Sequence, residues 1–256
     1  MGIKERNTKI LLFLFLIPAN PFDGEEFGQK LQKIFDFSLN QKTKGTISGL
    51  IKKGLIQQIK NINTENKSLV SEKNKYILTE KGYRLLCLEF PFFRSLKEEW
   101  DGVWRIISYE IPETKRDLRD RLRREMRGWG LGPWHRSFWL SPHPIIGNLK
   151  ELVYGREEEK YIQAFESTHV FGDLIDLIEK VWNKEKIEKK YRELFTKWHE
   201  ILSDKKNNFQ KMKEITSLYI DLLRTDPGLP KGLINQKWIG FEAFSIFKEI
   251  KATLLK

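Results

Sequence analysis

Cys87 is the single thiol in 256 residues, so the chain can close no internal disulfide and build no cysteine-clustered metal site. Its simplest role is that of a small apolar residue buried in a helix. Histidine is nearly as scarce: His135, His143, His169 and His199 are scattered, without metal-ligand spacing. There is no glycine-rich phosphate loop and no nucleophile elbow. His135 and Ser137 are neighbours on a strand, which does not make them parts of a triad. No catalytic residue, metal or cofactor is expected. Long apolar runs are missing too: Ile10 to Ile17 covers eight residues, while a bilayer span takes about 20. Lys4, Arg6 and Lys9 give that run the look of a signal peptide. Pro18-Ala19-Asn20-Pro21 is a poor cleavage site, however, so the run reads as a first helix buried on most sides, in a cytoplasmic protein with no membrane partner. Secretion is the lesser reading.

Acidic side chains are in deficit, 35 Asp and Glu against 46 Lys and Arg, for a net charge of +11. Such an excess favours a polyanionic partner, nucleic acid or an acidic membrane surface. With 40% apolar and 12% aromatic residues the chain can bury a sizeable core.

Residues 1–92 read as three helices, a hairpin and a helix. Lys4 to Ile17 is the first. Asp23 can cap the second, whose Phe27, Leu31, Ile34 and Phe35 fall at helical spacing. The third runs from Gln41 to Lys53, with Ile47, Leu50 and Ile51 inward and Gly54 as its stop. Leu55 to Lys60 and Lys75 to Leu78 are strands flanking a polar tip, and Thr79 caps a helix to about Leu88. That is the element order of a winged helix-turn-helix. The stretch from Phe37 to Thr64 holds five lysines and no acid. Lysines there neutralise phosphates whatever the base sequence, and the N-terminal outward part of a recognition helix reaches base edges. Gln41, Lys42, Lys44, Thr46, Lys52 and Lys53 are the candidate DNA contacts, with Lys67 at the wing tip as a helper. A solvated basic face is the plainer alternative.

Residues 98–170 read as β-α-β-β-α-β, the order of a ferredoxin-like domain. Its parts are Trp104 to Ile111, Thr114 to Trp129, Trp134 to Arg136, Ser137 to Leu140, Ile145 to Val153 and Tyr161 to His169. The first helix buries Leu118, Leu122, Met126 and Trp129 and turns six arginines outward among Asp117, Asp120 and Glu125. Ion pairs Asp117–Arg121 and Asp120–Arg124 at i,i+4 are the simplest use of that face. A phosphate backbone or an acidic small molecule is the functional one. Residues 171–256 are helical. Leu174, Ile175, Leu177, Ile178, Val181 and Trp182 form one apolar face, and Asp226-Pro227-Gly228-Leu229-Pro230 interrupts the series before a last helix. The fold class is therefore α+β and multidomain.

Trp100 to Pro142, WDGVWRIISYEIPETKRDLRDRLRREMRGWGLGPWHRSFWLSP, resembles the phenylacetate-degradation repressor family, the PaaX-like regulators. DPGLP, then Trp238-Ile239-Gly240 and an amphipathic helix, fits the same pattern, with Trp182 in a matching place. TKGTISGLIKKGLI and YILTEKGYRLL match it only loosely. The resemblance implies a winged helix, a middle domain similar to the small CRISPR-associated endoribonucleases and a helical tail. It implies a repressor that binds double-stranded DNA as a homodimer and is released by an acyl-CoA-like effector. Tyr219 and Asp221 stand where the family's polar, often basic groups are expected, which puts that effector in doubt. In the nucleases an acidic residue ending the first strand is proposed to bind a metal. Glu110 matches it, a glutamate where aspartate is usual, and no second carboxylate is evident. Pairing with an arginine is the more economical expectation for Glu110. A metal-dependent nuclease is the alternative function.

Overall fold

The computed structural model describes residues 5–17, 24–61, 73–234 and 238–255. The chain divides into two compact units. One comprises Gly2–Leu86, Trp198–Leu218 and Ile246–Lys256; the other comprises Cys87–Lys197 and Tyr219–Ser245.

The first unit begins with α1 (Glu5–Leu16), α2 (Gly24–Phe35) and α3 (Gln41–Lys52). A hairpin of β1 (Ile56–Asn61) and β2 (Lys73–Leu78) follows, then α4 (Glu80–Glu89). The apolar run of α1 is buried on most sides: Ile10, Leu11, Leu12, Phe13, Leu14 and Leu16 are core residues and Phe15 is half-buried, as suits a helix apolar nearly all round. Phe13 meets Phe27 and Phe35 edge to face, with centroids 5.1 and 5.7 Å apart. Among the described residues no helix is long and apolar enough to cross a membrane. The hairpin is antiparallel from Ile56 opposite Leu78 to Asn61 opposite Lys73. Thr79 caps α4, accepting from the Gly82 N–H at 3.1 Å. Its hydroxyl donates to the Gly54 carbonyl at 2.7 Å, tying the end of the α3 turn to the start of α4. Gly82 is needed for that closeness, since a Cβ there would lie 2.0 Å from the Leu55 carbonyl oxygen. Asp23, the expected cap of α2, lies outside the described residues.

The second unit holds a short helix, α5 (Phe92–Ser95), and a four-stranded sheet. Its strands are β3 (Val103–Tyr109), β4 (Gly132–His135), β5 (Phe138–Ser141) and β6 (Ile162–Thr168). The order is β4-β5-β3-β6, antiparallel throughout. Helices α6 (Arg116–Gly128) and α7 (Ile146–Val153) complete the expected β-α-β-β-α-β series. Alternation sends Ile107, Tyr109 and Trp139 to one face, where they pack with Leu122, Met126, Leu149, Leu152 and Val153. The Asp-Gly turn before β3 is fixed by the Asp101 carboxylate. It accepts from the Val103 N–H at 3.0 Å and pairs with Arg105 at 2.7 Å. Hydrogen bonding to Arg105 holds the Asp101 carboxyl below its usual range.

The expected pairs Asp117–Arg121 and Asp120–Arg124 do not form. Arg121 turns instead to Glu158, and Asp120 pairs with Arg116 at 3.7 Å. The Glu158 carboxylate is buried, and a buried charge costs far more unpaired than an exposed one. It therefore takes the nearest cation from the helix surface.

The helical part comprises α8 (Leu174–Trp182), α9 (Lys184–Ser203), α10 (Asn208–Leu223) and α11 (Ile239–Leu254). Gly132 of β4 admits α8, since a Cβ there would meet Val181 at 2.0 Å. Ile178 and Val181 are buried, but Ile175, expected on the same face, is 77% exposed. It sits at the rim of the stripe, in the turn capped by Asp173. DPGLP is buried along its whole length. The Asp226 carboxylate accepts from the Tyr191 hydroxyl at 2.6 Å and the Gly228 N–H at 2.7 Å. Gly228 has a positive φ of 67° and lies so close to Pro91 that a Cβ would overlap its backbone. Its carbonyl accepts from His143 Nε2 at 2.6 Å, which fixes the Nε2–H tautomer in a ring that burial keeps neutral.

Candidate nucleic-acid interface

The third helix is built to show one face and hide the other. Asn40 caps it, its side chain accepting from the Thr43 N–H at 3.0 Å. The Thr43 hydroxyl turns inward to the Ser38 carbonyl at 2.7 Å. Thr43, Ile47 and Leu50 are buried. At about 100° per residue, the opposite direction is shared by Gln41, Gly45, Ser48 and Lys52, with Lys44 on one flank and Lys42 and Gly49 on the other. Gln41, Lys42, Lys44, Gly45, Ser48, Lys52 and Lys53 are all exposed.

Among the described residues none of Lys42, Lys44, Lys52 and Lys53 is paired with a carboxylate, and α3 itself has no acid. The helix thus presents four uncompensated ammonium groups, and the partial positive charge of its N-terminus adds to them. Thr46 is half-buried at the side, its hydroxyl donating back to the Lys42 carbonyl at 2.9 Å. Ser48, not singled out in the sequence, shares the outward direction of Gln41 and Lys52. The signal was there, since it lies seven residues after Gln41 and four before Lys52. Gly45 and Gly49 have open space where a Cβ would be. Among the described residues no packing contact demands glycine at either place, although each costs the helix about 1 kcal/mol relative to alanine. They leave a shallow strip on which another surface can approach the backbone. Lys67 and the hairpin tip lie outside the described residues.

The second basic element, α6, is largely committed within its own unit. Arg119 pairs with Glu113 and Arg121 with Glu158; the Arg123 Nε donates to the Tyr109 hydroxyl at 2.6 Å, and Arg127 lies over the Trp139 ring at 5.8 Å. Arg116, Arg121, Arg124 and Arg127 are exposed, and Arg116 also pairs with Asp120. Glu110 is exposed, and among the described residues it pairs with no arginine, contrary to expectation. Its backbone N–H donates to the Tyr161 carbonyl at 3.0 Å, which seats it at the end of the sheet. Among the described residues no three His, Cys, Asp or Glu side chains are grouped to hold a metal ion. Of the two departures noted before DPGLP, Tyr219 is a core residue and Asp221 is on the surface, 4.0 Å from Arg224.

The fold of the chain is similar to that of the uncharacterized protein Rv0674 from Mycobacterium tuberculosis. The TM-score is 0.53 over 98% of this chain and 95% of that one, at 15% identity. Among curated proteins no sequence matches. Residues 97–177 match the family model of the PaaX protein central Cas2-like domain, and residues 182–256 match that of the PaaX-like protein C-terminal domain. Together the two matches take in the sheet, its flanking helices and the helical tail, and on that ground the chain belongs to the PaaX-like family.

Proposed function

We propose that the protein is a transcriptional regulator of the PaaX type, a repressor that binds double-stranded DNA as a homodimer. In this reading residues 1–92 are the winged helix-turn-helix, 98–170 the Cas2-like domain and 171–256 the helical C-terminal domain. The observation that carries it is the outward face of α3: exposed lysines without carboxylate partners, around a strip opened by two glycines. Inserted in a major groove, Gln41 and Ser48 reach base edges while Lys42, Lys44, Lys52 and Lys53 meet phosphates. The hairpin and Lys67 follow as the wing. A dimer suits this arrangement because two such helices read half-sites about one helical turn apart.

Selection of bound duplexes from a random DNA library tests the proposal. The expected result is a paired motif with fixed spacing. Recovery of no motif, at a salt concentration where the protein still binds DNA, overturns sequence-specific regulation. An acidic small-molecule effector belongs to the family reading; Tyr219 and Asp221 depart from the family's polar groups there, while Arg224 remains. The metal-dependent nuclease alternative rests on Glu110 alone. It predicts Mg²⁺-dependent cleavage that vanishes in Glu110→Gln; the regulator reading predicts no such cleavage.

A further inference from the structure

The free edge of the central sheet is unusually undefended. β6 lies at one end of the order β4-β5-β3-β6. It pairs with β3 along all seven of its residues, without a bulge. Sheet edges are ordinarily blunted by proline, bulges, short strands or charges. β6, Ile-Gln-Ala-Phe-Glu-Ser-Thr, has no proline or glycine, and its one charge, Glu166, is taken up by Arg105 at 3.0 Å.

Both sides of that edge are open as well. On the face away from α6 and α7, Phe165 stands opposite Ile106 and is 53% exposed. On the other face a groove of about 520 Å³ runs between β6 and α7, lined by the apolar Ile146, Leu149, Val153, Ile162 and Ala164 and by Lys150, Glu159 and Glu166. Lys150 has no ion-pair partner among the described residues.

The hydrogen-bond parity shows what fits. The Glu110 N–H donates to the Tyr161 carbonyl, so the narrow pairs with β3 fall on the odd residues of β6. The N–H and C=O groups of Ile162, Ala164, Glu166 and Thr168 therefore point away from the sheet. Antiparallel pairing of β6 with itself about a two-fold axis at Phe165 overlaps all seven residues. It sets outward groups opposite outward groups: Ile162 against the partner's Thr168, and Ala164 against the partner's Glu166. No like charges face each other. The partner's Glu166 arrives over Ala164, on the groove side where Lys150 waits. The two Phe165 side chains meet at a wide pair, the closer spacing for side chains.

We infer that β6 is a self-association edge, through which two copies of the chain join their sheets into one continuous eight-stranded sheet. This deepens the homodimer part of the proposed function and rests on it. The full-length chain is examined by sedimentation equilibrium without DNA, beside Ala164→Pro, which removes an outward donor but no bond to β3, and Phe165→Glu. The expected result is a dimer whose mass halves in both variants while their circular dichroism is retained. Should a variant misfold, Phe165→Cys in a Cys87→Ala background supplies a second readout. Mild oxidation is expected to link two chains through Cys at 165, while Gln163→Cys, far from its counterpart across the axis, remains unlinked. A wild-type dimer that neither β6 variant disturbs and that Cys at 165 does not link overturns the edge assignment and leaves the homodimer standing. A wild-type monomer overturns both.

Discussion

His143 makes the second unit sensitive to acid. It is buried between Pro142 and Pro144, donates to the Gly228 carbonyl, and has its pKa pushed down to about 3 by burial first and by the Arg94 charge second. The folded protein refuses a proton that the unfolded chain accepts below about 6.5. Stability from this group is thus unaffected above that pH and falls as the pH drops toward about 3. Near pH 5 the loss is about 2 kcal/mol. Asp226, whose carboxyl burial raises, acts with the opposite sign, so the difference between two proteins is the useful quantity. In urea titrations at pH 7 and 5, His143→Gln, which keeps an N–H donor, is expected to lose less stability than the parent. Equal losses contradict the assignment. Asp226→Ala strands the Tyr191 hydroxyl and the Gly228 N–H in the core, and is expected to cost about 3 kcal/mol in the same titrations.

At the scale of elements, α3 is where stability and function pull apart. Gly45 has open space around a Cβ, so Gly45→Ala is expected to raise the unfolding free energy by about 1 kcal/mol, and Gly45→Glu to weaken DNA binding without unfolding the helix. A Gly45→Glu protein that binds DNA as tightly as the parent removes the strip from the interface. Element order was legible from periodicity and punctuation. Helix spacing at Phe27, Leu31 and Ile34, the stop at Gly54, the cap at Thr79 and the alternation of β3 each depend on neighbours within a few residues, and local chemistry decides them. The partners of α6 were not legible, because Glu158 and Tyr109 are distant in sequence and only folding brings them to the helix. The exposed lysines of α3 were readable from spacing. The exposure of Ser48 carries no charge signal in the sequence, and the back-bond of Thr46 to the Lys42 carbonyl is invisible to spacing.

For the whole molecule, the excess of +11 is spread unevenly between elements. The arginines of α6 are largely spent on Glu113, Glu158, Tyr109 and Trp139, whereas the lysines of α3 are unspent. Unpaired positive charge on α3 thus belongs to the first unit, and the self-association edge proposed on β6 to the second. The most direct test is the salt dependence of DNA binding by Lys42→Ala/Lys44→Ala beside the parent. If these two side chains release counterions from phosphates, the logarithmic salt slope becomes shallower by about 2 and affinity falls across all sequences. An unchanged slope with unchanged affinity contradicts the claim that α3 is the DNA-reading surface.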